Sequence, residues 1–300
     1  MWINTVNGAV ELEASAVVLP HEHAVINYGQ MSGIASSADN NVIEQTFNQF
    51  RALKRQGVDV FVDCTPPGYG RDIELMQRLS ADSGIHIVAS TGTFCEQWHH
   101  LPQRVYDLSV DALAQYFVDE LESFCGSIKV ATSHGVMHPS EQKAFLAAAI
   151  AHQETGAPVV AHTTGSLGPE QVEFLMGRGV TPGKILVAHV CAAEEPVEYA
   201  LEIASTGAFV GFDRIGHSAH PDSHWLDLVE ELDDEGLFPQ VLLSHDSVQF
   251  FEGPDAIAGH TFHNSTHLFT VFRDAWESRP QLAGRFNDAV ATNPLAWLTR

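Results

Sequence analysis

The segment Leu19-Pro20-His21-Glu22-His23 closes an apolar run that reads as a β-strand. Residues i and i+2 of a strand share a face. His21 and His23 therefore aim at one point, and Glu22 points away. Two imidazoles on one face are half of a metal site. The plainer alternative is two hydrogen-bonded strand-end side chains, in a chain with 17 histidines. Other apolar runs carry similar groups. Lys129 lies inside Ser-Ile-Lys-Val-Ala, and His162 ends Pro-Val-Val-Ala-His. His189 ends Lys-Ile-Leu-Val-Ala-His, and Asp246 ends Gln-Val-Leu-Leu-Ser-His-Asp. Imidazoles with a carboxylate make a donor set for divalent cations. A lysine among cations is repelled and costly to desolvate. Deprotonated, it can take up carbon dioxide as a carbamate, whose two oxygens can bridge two metals. The competing role is a neutral lysine acting as base or Schiff-base nucleophile, which has no use for four histidines.

These groups need elements that bring them together. Eight strand candidates recur along the chain: Ala16–Leu19, Val58–Asp63, Ile85–Ser90, Ser127–Ala131, Pro158–His162, Lys184–His189, Ala208–Asp213 and Gln240–Asp246. Helical stretches near 41–56, 71–83, 109–124, 139–155, 168–179, 194–206 and 222–235 alternate with them, and a last one follows 264. Pro139-Ser140-Glu141 and Gly168-Pro169-Glu170 look like helix starts. Gly57, Gly84, Gly156 and Gly207 look like helix ends. Eight strands and eight helices predict a (β/α)8 TIM barrel, a single domain over residues 1–300. No G-x-G-x-x-G follows the first strand, which leaves a dinucleotide fold without support. Residues 1–12 read as a short hairpin or lid, with Asn7-Gly8 as its turn. In such a barrel the active site lies at the C-terminal ends of the strands, where these polar groups stand.

Bulk properties narrow the partners. Fifteen basic against 38 acidic residues give a formal charge of −23. Nucleic acid and anionic membranes need a basic face, so neither is expected. Cys64, Cys95, Cys125 and Cys191 are widely spaced and show no C-x-x-C. They read as reduced thiols of a cytoplasmic protein. The first 20 residues lack a signal-peptide pattern, and no stretch is long and apolar enough for a membrane helix.

The ordered set His21, His23, Lys129, His162, His189 and Asp246 resembles the amidohydrolase superfamily. More narrowly it resembles the phosphotriesterase family, including the phosphotriesterase-like lactonases. The phrases LPHEH, SIKVATS, PVVAHT, GFDRIG, LLSHD and TNPLAWL carry the likeness, as does GYGRDIELMQRLSADSGIHIVASTG. The resemblance implies a metal-dependent hydrolase acting on a small-molecule ester, lactone or phosphoester, and allows for a homodimer. It implies two divalent metal ions, zinc foremost and manganese, cobalt or iron as alternatives. His21, His23 and Asp246 would hold the more buried ion, and His162 and His189 the more exposed one. Carboxylated Lys129 and a hydroxide would bridge them, and Asp246 would accept the hydroxide's proton. Arg214 stands where the lactonase branch keeps an arginine near the substrate.

Two positions depart from the family pattern. Phe94 replaces an aromatic hydroxyl after the third strand and cannot donate a hydrogen bond. Ala192 stands three residues past His189, where the family often has an aspartate; Glu194 or Glu195 are the nearby acids. His217, His220 and His224 after strand 7 are expected to be exposed, and so are His260, His263 and His267 after strand 8. Residues 247–267 are expected to set specificity. Two other functions fit the same composition. One is an amide or ring C–N hydrolase of the same superfamily, and the other is a non-catalytic ligand-binding barrel.

Overall fold

Valine, isoleucine and alanine fill the strand candidates almost without interruption, and in the computed structural model these runs form one parallel sheet of eight strands. The structure describes residues 1–27, 40–97, 100–217, 219–248, 251–252 and 265–299. β1 (Trp2–Thr5) and β2 (Gly8–Glu11) make an antiparallel hairpin. The barrel strands are β3 (Val17–Glu22), β5 (Val58–Asp63), β6 (His86–Gly92), β7 (Cys125–Ala131), β8 (Val159–His162), β9 (Ile185–Ala188), β10 (Phe209–Phe212) and β11 (Val241–Leu243). Two short strands, β4 (Ile26–Asn27) and β12 (Phe251–Glu252), pair in parallel beyond the rim.

Each barrel strand pairs with the next, from β3 through β5 to β11. The seam between β3 and β11 closes differently. The Asp246 amide donates to His21 O at 3.1 Å, the His23 amide donates to Ser247 O at 2.9 Å, and His23 bridges Val248 in parallel. Strand residues alternate between two apolar layers. Val18, Val60, Val62, Val88, Val160, Leu186 and Leu242 fill the barrel interior. Leu19, Val58, Phe61, Ile87, Ile128, Val159 and Val187 face the surrounding helices. Each valine so buried contributes about 1.5–3 kcal/mol.

The helices start and stop where local chemistry dictates. The Asp72 side chain accepts from Leu75 N ahead of α2 (Ile73–Ser83), and Ser109 accepts from Ala112 N ahead of α4 (Val110–Ser123). Ahead of α5 (Pro139–Thr155), Glu141 reaches back to accept from His138 N at 2.8 Å. α6 (Gly168–Met176), α7 (Val197–Ser205) and α8 (Asp222–Asp234) follow the predicted order. α1 (Asn40–Arg55) falls on the stretch read near 41–56. The single helix expected after 264 is two, α9 (Val271–Glu277) and α10 (Asn293–Leu298). A short α3 (Gln103–Asp107) was not expected.

The hairpin is not a lid over the strand ends. Val6 N donates to Ile87 O near the start of β6, and the Asn4 amide donates to Leu121 O at 3.2 Å. It therefore plugs the floor, opposite the polar strand ends, and Ile3 joins the interior cluster there. Trp297 and Leu298 of α10 join the same cluster. All four cysteines are buried and free. Among the described residues no helix is long and apolar enough to cross a membrane.

Candidate metal centre

The strand ends deliver the polar groups to one place. β3 extends past Leu19, so His21 lies inside the strand and His23 one residue beyond it. Lys129 lies two residues before the end of β7, in register with Gly92 of β6 and Val160 of β8. Gly92 (φ +104) permits this approach, because a Cβ there would lie 1.9 Å from Lys129 O. His162 ends β8. His189 and Asp246 follow β9 and β11 in the left-handed region, at φ 62 and 54. Such backbone takes both residues out of regular strand geometry.

His21, His23 and Asp246 form a buried group whose candidate ligand atoms lie within 4.8 Å of one another. Asp246 Oδ1 is 3.2 Å from His23 Nε2 and 3.7 Å from His21 Nε2. Lys129 Nζ, fully buried, lies 3.0 Å from His21 Nε2. Across the cavity His189 Nε2 stands 2.9 Å from His162 Nδ1. These six residues, read from strand ends far apart in the chain, form one connected cluster.

Two further groups orient the rings. Asp213 accepts from His21 Nδ1 at 2.6 Å and from His189 Nδ1 at 2.8 Å. Thr65 Oγ1 donates to Val25 O at 3.3 Å and so accepts from His23 Nδ1 at 2.8 Å. With Nδ1 protonated by these contacts, Nε2 is the atom of each ring left to face a cation in the cavity. Asp213 also forms a close group with His21 and His189. Its contacts there are hydrogen bonds to Nδ1, so it serves as an orienting carboxylate behind the candidate ligand atoms. Neither Asp213 nor Thr65 is among the site residues predicted from the sequence. Asp213 had a signal, since it follows an apolar strand as Asp246 does.

The protonation of His162, His189 and Asp246 fits a divalent cation, whereas His21 must shed a proton to bind one. Burial depresses His162 well below the ordinary imidazole range, helped by His189 and Lys129. Burial also takes His189 down to about 4, against the pull of Asp213. Burial works to raise Asp246, but His189, His23 and His21 outweigh it and hold the carboxyl well below its usual range. Neutral imidazoles and an ionised carboxylate are the forms that bind metal. The nitrogen and oxygen donors suit zinc, manganese, cobalt and iron alike.

These shifts predict an acid-sensitive metal-free protein. As the pH falls below 6.5, unfolded chains take up a proton that folded His189 refuses until about pH 4. Stability drops across that window by on the order of 3 kcal/mol, then levels for this group. His21 does not add to the loss. Burial disfavours its charge, but Cys64 and Asp213 outweigh burial and Lys129 and raise it to about 10. Its contribution is fully present below pH 6.5 and lost only as the pH rises toward 10. Melting curves in chelator should fall from pH 7 to pH 4, and curves with saturating metal should start higher and fall at least as steeply, because the bound ion keeps the same imidazoles unprotonated. A metal-free curve that stays flat over that range would contradict this assignment.

The other predicted residues divide. Arg214 reaches the site, with Nε 3.5 Å from Asp246 Oδ2 and its side chain about a third exposed. Phe94 packs edge-on to His162, ring centres 5.2 Å apart, and lies 5.7 Å from Lys129 Nζ. Glu195 accepts from Ala193 N at 3.0 Å, and Glu194 is exposed. His217, His220 and His224 are partly buried, contrary to expectation. The rings of His220 and His224 stack at 4.0 Å and donate to Ala193 O and Cys191 O, tying the loop after β10 to the loop after β9. His267 is also partly buried and bonds Asp222 at 2.9 Å. His260 and His263, with most of residues 247–267, lie outside the described residues.

Comparison with known proteins agrees with this geometry. The Phosphotriesterase family model matches residues 1–276. A phosphotriesterase homology protein of Escherichia coli is 32% identical over 249 residues, covering 79% of this chain and 83% of its own. The solved organophosphorus hydrolase of Deinococcus radiodurans superposes with a TM-score of 0.83 at 27% identity, covering 99% of this chain and 97% of that one. An N-acetyltaurine hydrolase of Bos taurus is 24% identical over 294 residues, covering 91% and 81%. With this match over most of its length, the chain belongs to the phosphotriesterase family.

Proposed function

We propose that this protein is a binuclear metal-dependent hydrolase that cleaves an ester, lactone or phosphoester of a small molecule. The observation that carries the reading is the convergence of His21, His23 and Asp246 on one side of Lys129, with His162 and His189 facing each other nearby. His21, His23 and Asp246 would hold one ion, and His162 and His189 the other. Lys129 as a carbamate would supply an oxygen to each; among the described residues no carboxylate forms an ion pair with it. Zinc is the first candidate. Bound metals would supply an acidified water and a Lewis acid for the bond under attack. Asp246 takes the proton that the attacking water gives up. Arg214, beside Asp246 at the exposed edge of the site, holds a substrate oxygen. The D. radiodurans neighbour is named for organophosphorus hydrolysis, which supports a phosphoester or related ester.

Chelation should abolish hydrolysis, and zinc, manganese or cobalt should restore it. The screen is a panel of lactones, carboxylic esters and organophosphates. No turnover of any of them by fully metallated protein defeats the reading. A second reading, amide hydrolysis at the same centre, draws on the relative named N-acetyltaurine hydrolase. A strong preference for amides over matched esters in that assay would favour it.

A further inference from the structure

Glu22 sits between the two strand-end histidines and points to the opposite side of β3. It is fully buried, yet no step proposed above uses it. Its carboxylate crosses the seam to the segment after β11. Oε1 accepts from Ser244 Oγ at 2.8 Å, His245 N at 2.9 Å and His245 Nδ1 at 3.0 Å. Oε2 accepts from Ser247 N at 2.8 Å and from Ser247 Oγ. The residues on both sides of Asp246 are thus held by one carboxylate. His245 in turn accepts from Leu268 N at 3.0 Å.

What lies between the clamped amides explains the arrangement. Asp246 has φ 54, left-handed for a residue with a Cβ. Such a conformation costs about 1–3 kcal/mol and persists only where its surroundings impose it. The regular ladder cannot impose it, because β11 ends at Leu243. Two backbone bonds span the seam, from Asp246 N to His21 O and from His23 N to Ser247 O. Glu22 adds five acceptor contacts to the same stretch.

We propose that Glu22 is a positioning residue, a clamp that holds Asp246 in its left-handed conformation and thereby sets affinity for the ion at His21, His23 and Asp246. The proposal rests on the metal reading above. In Glu22→Gln the shape is kept, but an amide NH2 must face either the His245 donors or the Ser247 donors. Asp246 is then free to relax. His162 ends β8 and His189 follows β9, and neither is bonded to Glu22 or to the Ser244, His245 and Ser247 groups that Glu22 holds. Losing an outer support of this kind costs about 10- to 100-fold in metal affinity.

The test is metal titration with cobalt, read by stoichiometry and by the absorption spectrum of the bound ions. Glu141→Gln serves as a matched control. Glu141 is equally buried and accepts from Ser133, Glu96 and His138 away from the seam. Wild type should bind two equivalents. Glu22→Gln should bind one normally and the other about 10- to 100-fold more weakly, with one component of the spectrum altered. Glu141→Gln should keep both. Wild-type binding of both ions by Glu22→Gln overturns the clamp, as does an equal loss in Glu141→Gln. If Glu22→Gln does not fold, Ser247→Ala decides: weakening of one equivalent supports the clamp, and unchanged binding overturns it. A wild-type stoichiometry of one counts against the binuclear reading alone, and Glu22→Gln must then weaken that ion.

Discussion

Asp246→Asn is expected to lower kcat for ester hydrolysis by about 10²- to 10⁴-fold, the usual contribution of a positioned proton acceptor. Two features make this substitution informative. Asparagine is among the residues that best tolerate left-handed backbone, so the φ of 54 at this position survives. It also keeps an oxygen to face His23 Nε2, now 3.2 Å from the carboxylate. What disappears is the charge and the ability to take a proton. Alanine would be a poorer probe, since it adds backbone strain and removes the oxygen. The assay is kcat and KM on the best substrate, beside metal content. Full activity with both ions bound would remove Asp246 from the chemistry. A loss of one ion in step with activity would leave it a ligand only.

Lys129→Met is expected to have opposite effects on activity and stability. Lys129 Nζ is wholly buried, 3.0 Å from one imidazole and 5.7 Å from the Phe94 ring. Without metal and carbon dioxide, that amine has been taken out of water, and among the described residues no carboxylate forms an ion pair with it. Methionine has a similar length, no charge and a flexible apolar stem. Burying an amine without a full set of partners costs free energy that an apolar side chain of similar shape does not incur. The metal-free variant should therefore melt higher than metal-free wild type. With metal it should lose the bridging ligand, fail to retain the pair of ions, and hydrolyse no faster than chelated wild type. Native mass spectrometry of metal-loaded wild type should show the added mass of one carbon dioxide, absent in the variant. Wild-type turnover by Lys129→Met would end the case for a carbamate.

The side chains of the buried cluster are legible in the sequence for a physical reason. A strand covered on both faces tolerates few polar residues, so His21, His162 and Lys129 stand out against apolar neighbours. The residues that orient them were less legible. Thr65 is an ordinary threonine until the fold brings it to His23, 42 positions away. Asp213 reaches His21 across 192 positions, and Glu22 reaches Ser247 across 225. His220 and His224, expected in solvent, cap carbonyls of another loop. No local period records such pairings.

Strand and helix order, the barrel, and the chemical identity of the donor set follow from the chain alone, because covalent spacing and side-chain periodicity operate over a few residues. The tertiary structure decided the rest. It put the hairpin on the floor, closed the seam through Glu22, bent His189 and Asp246 into left-handed backbone, and gave one aspartate two imidazoles to orient. Each of these depends on which distant groups become neighbours, and only closure of the barrel sets that.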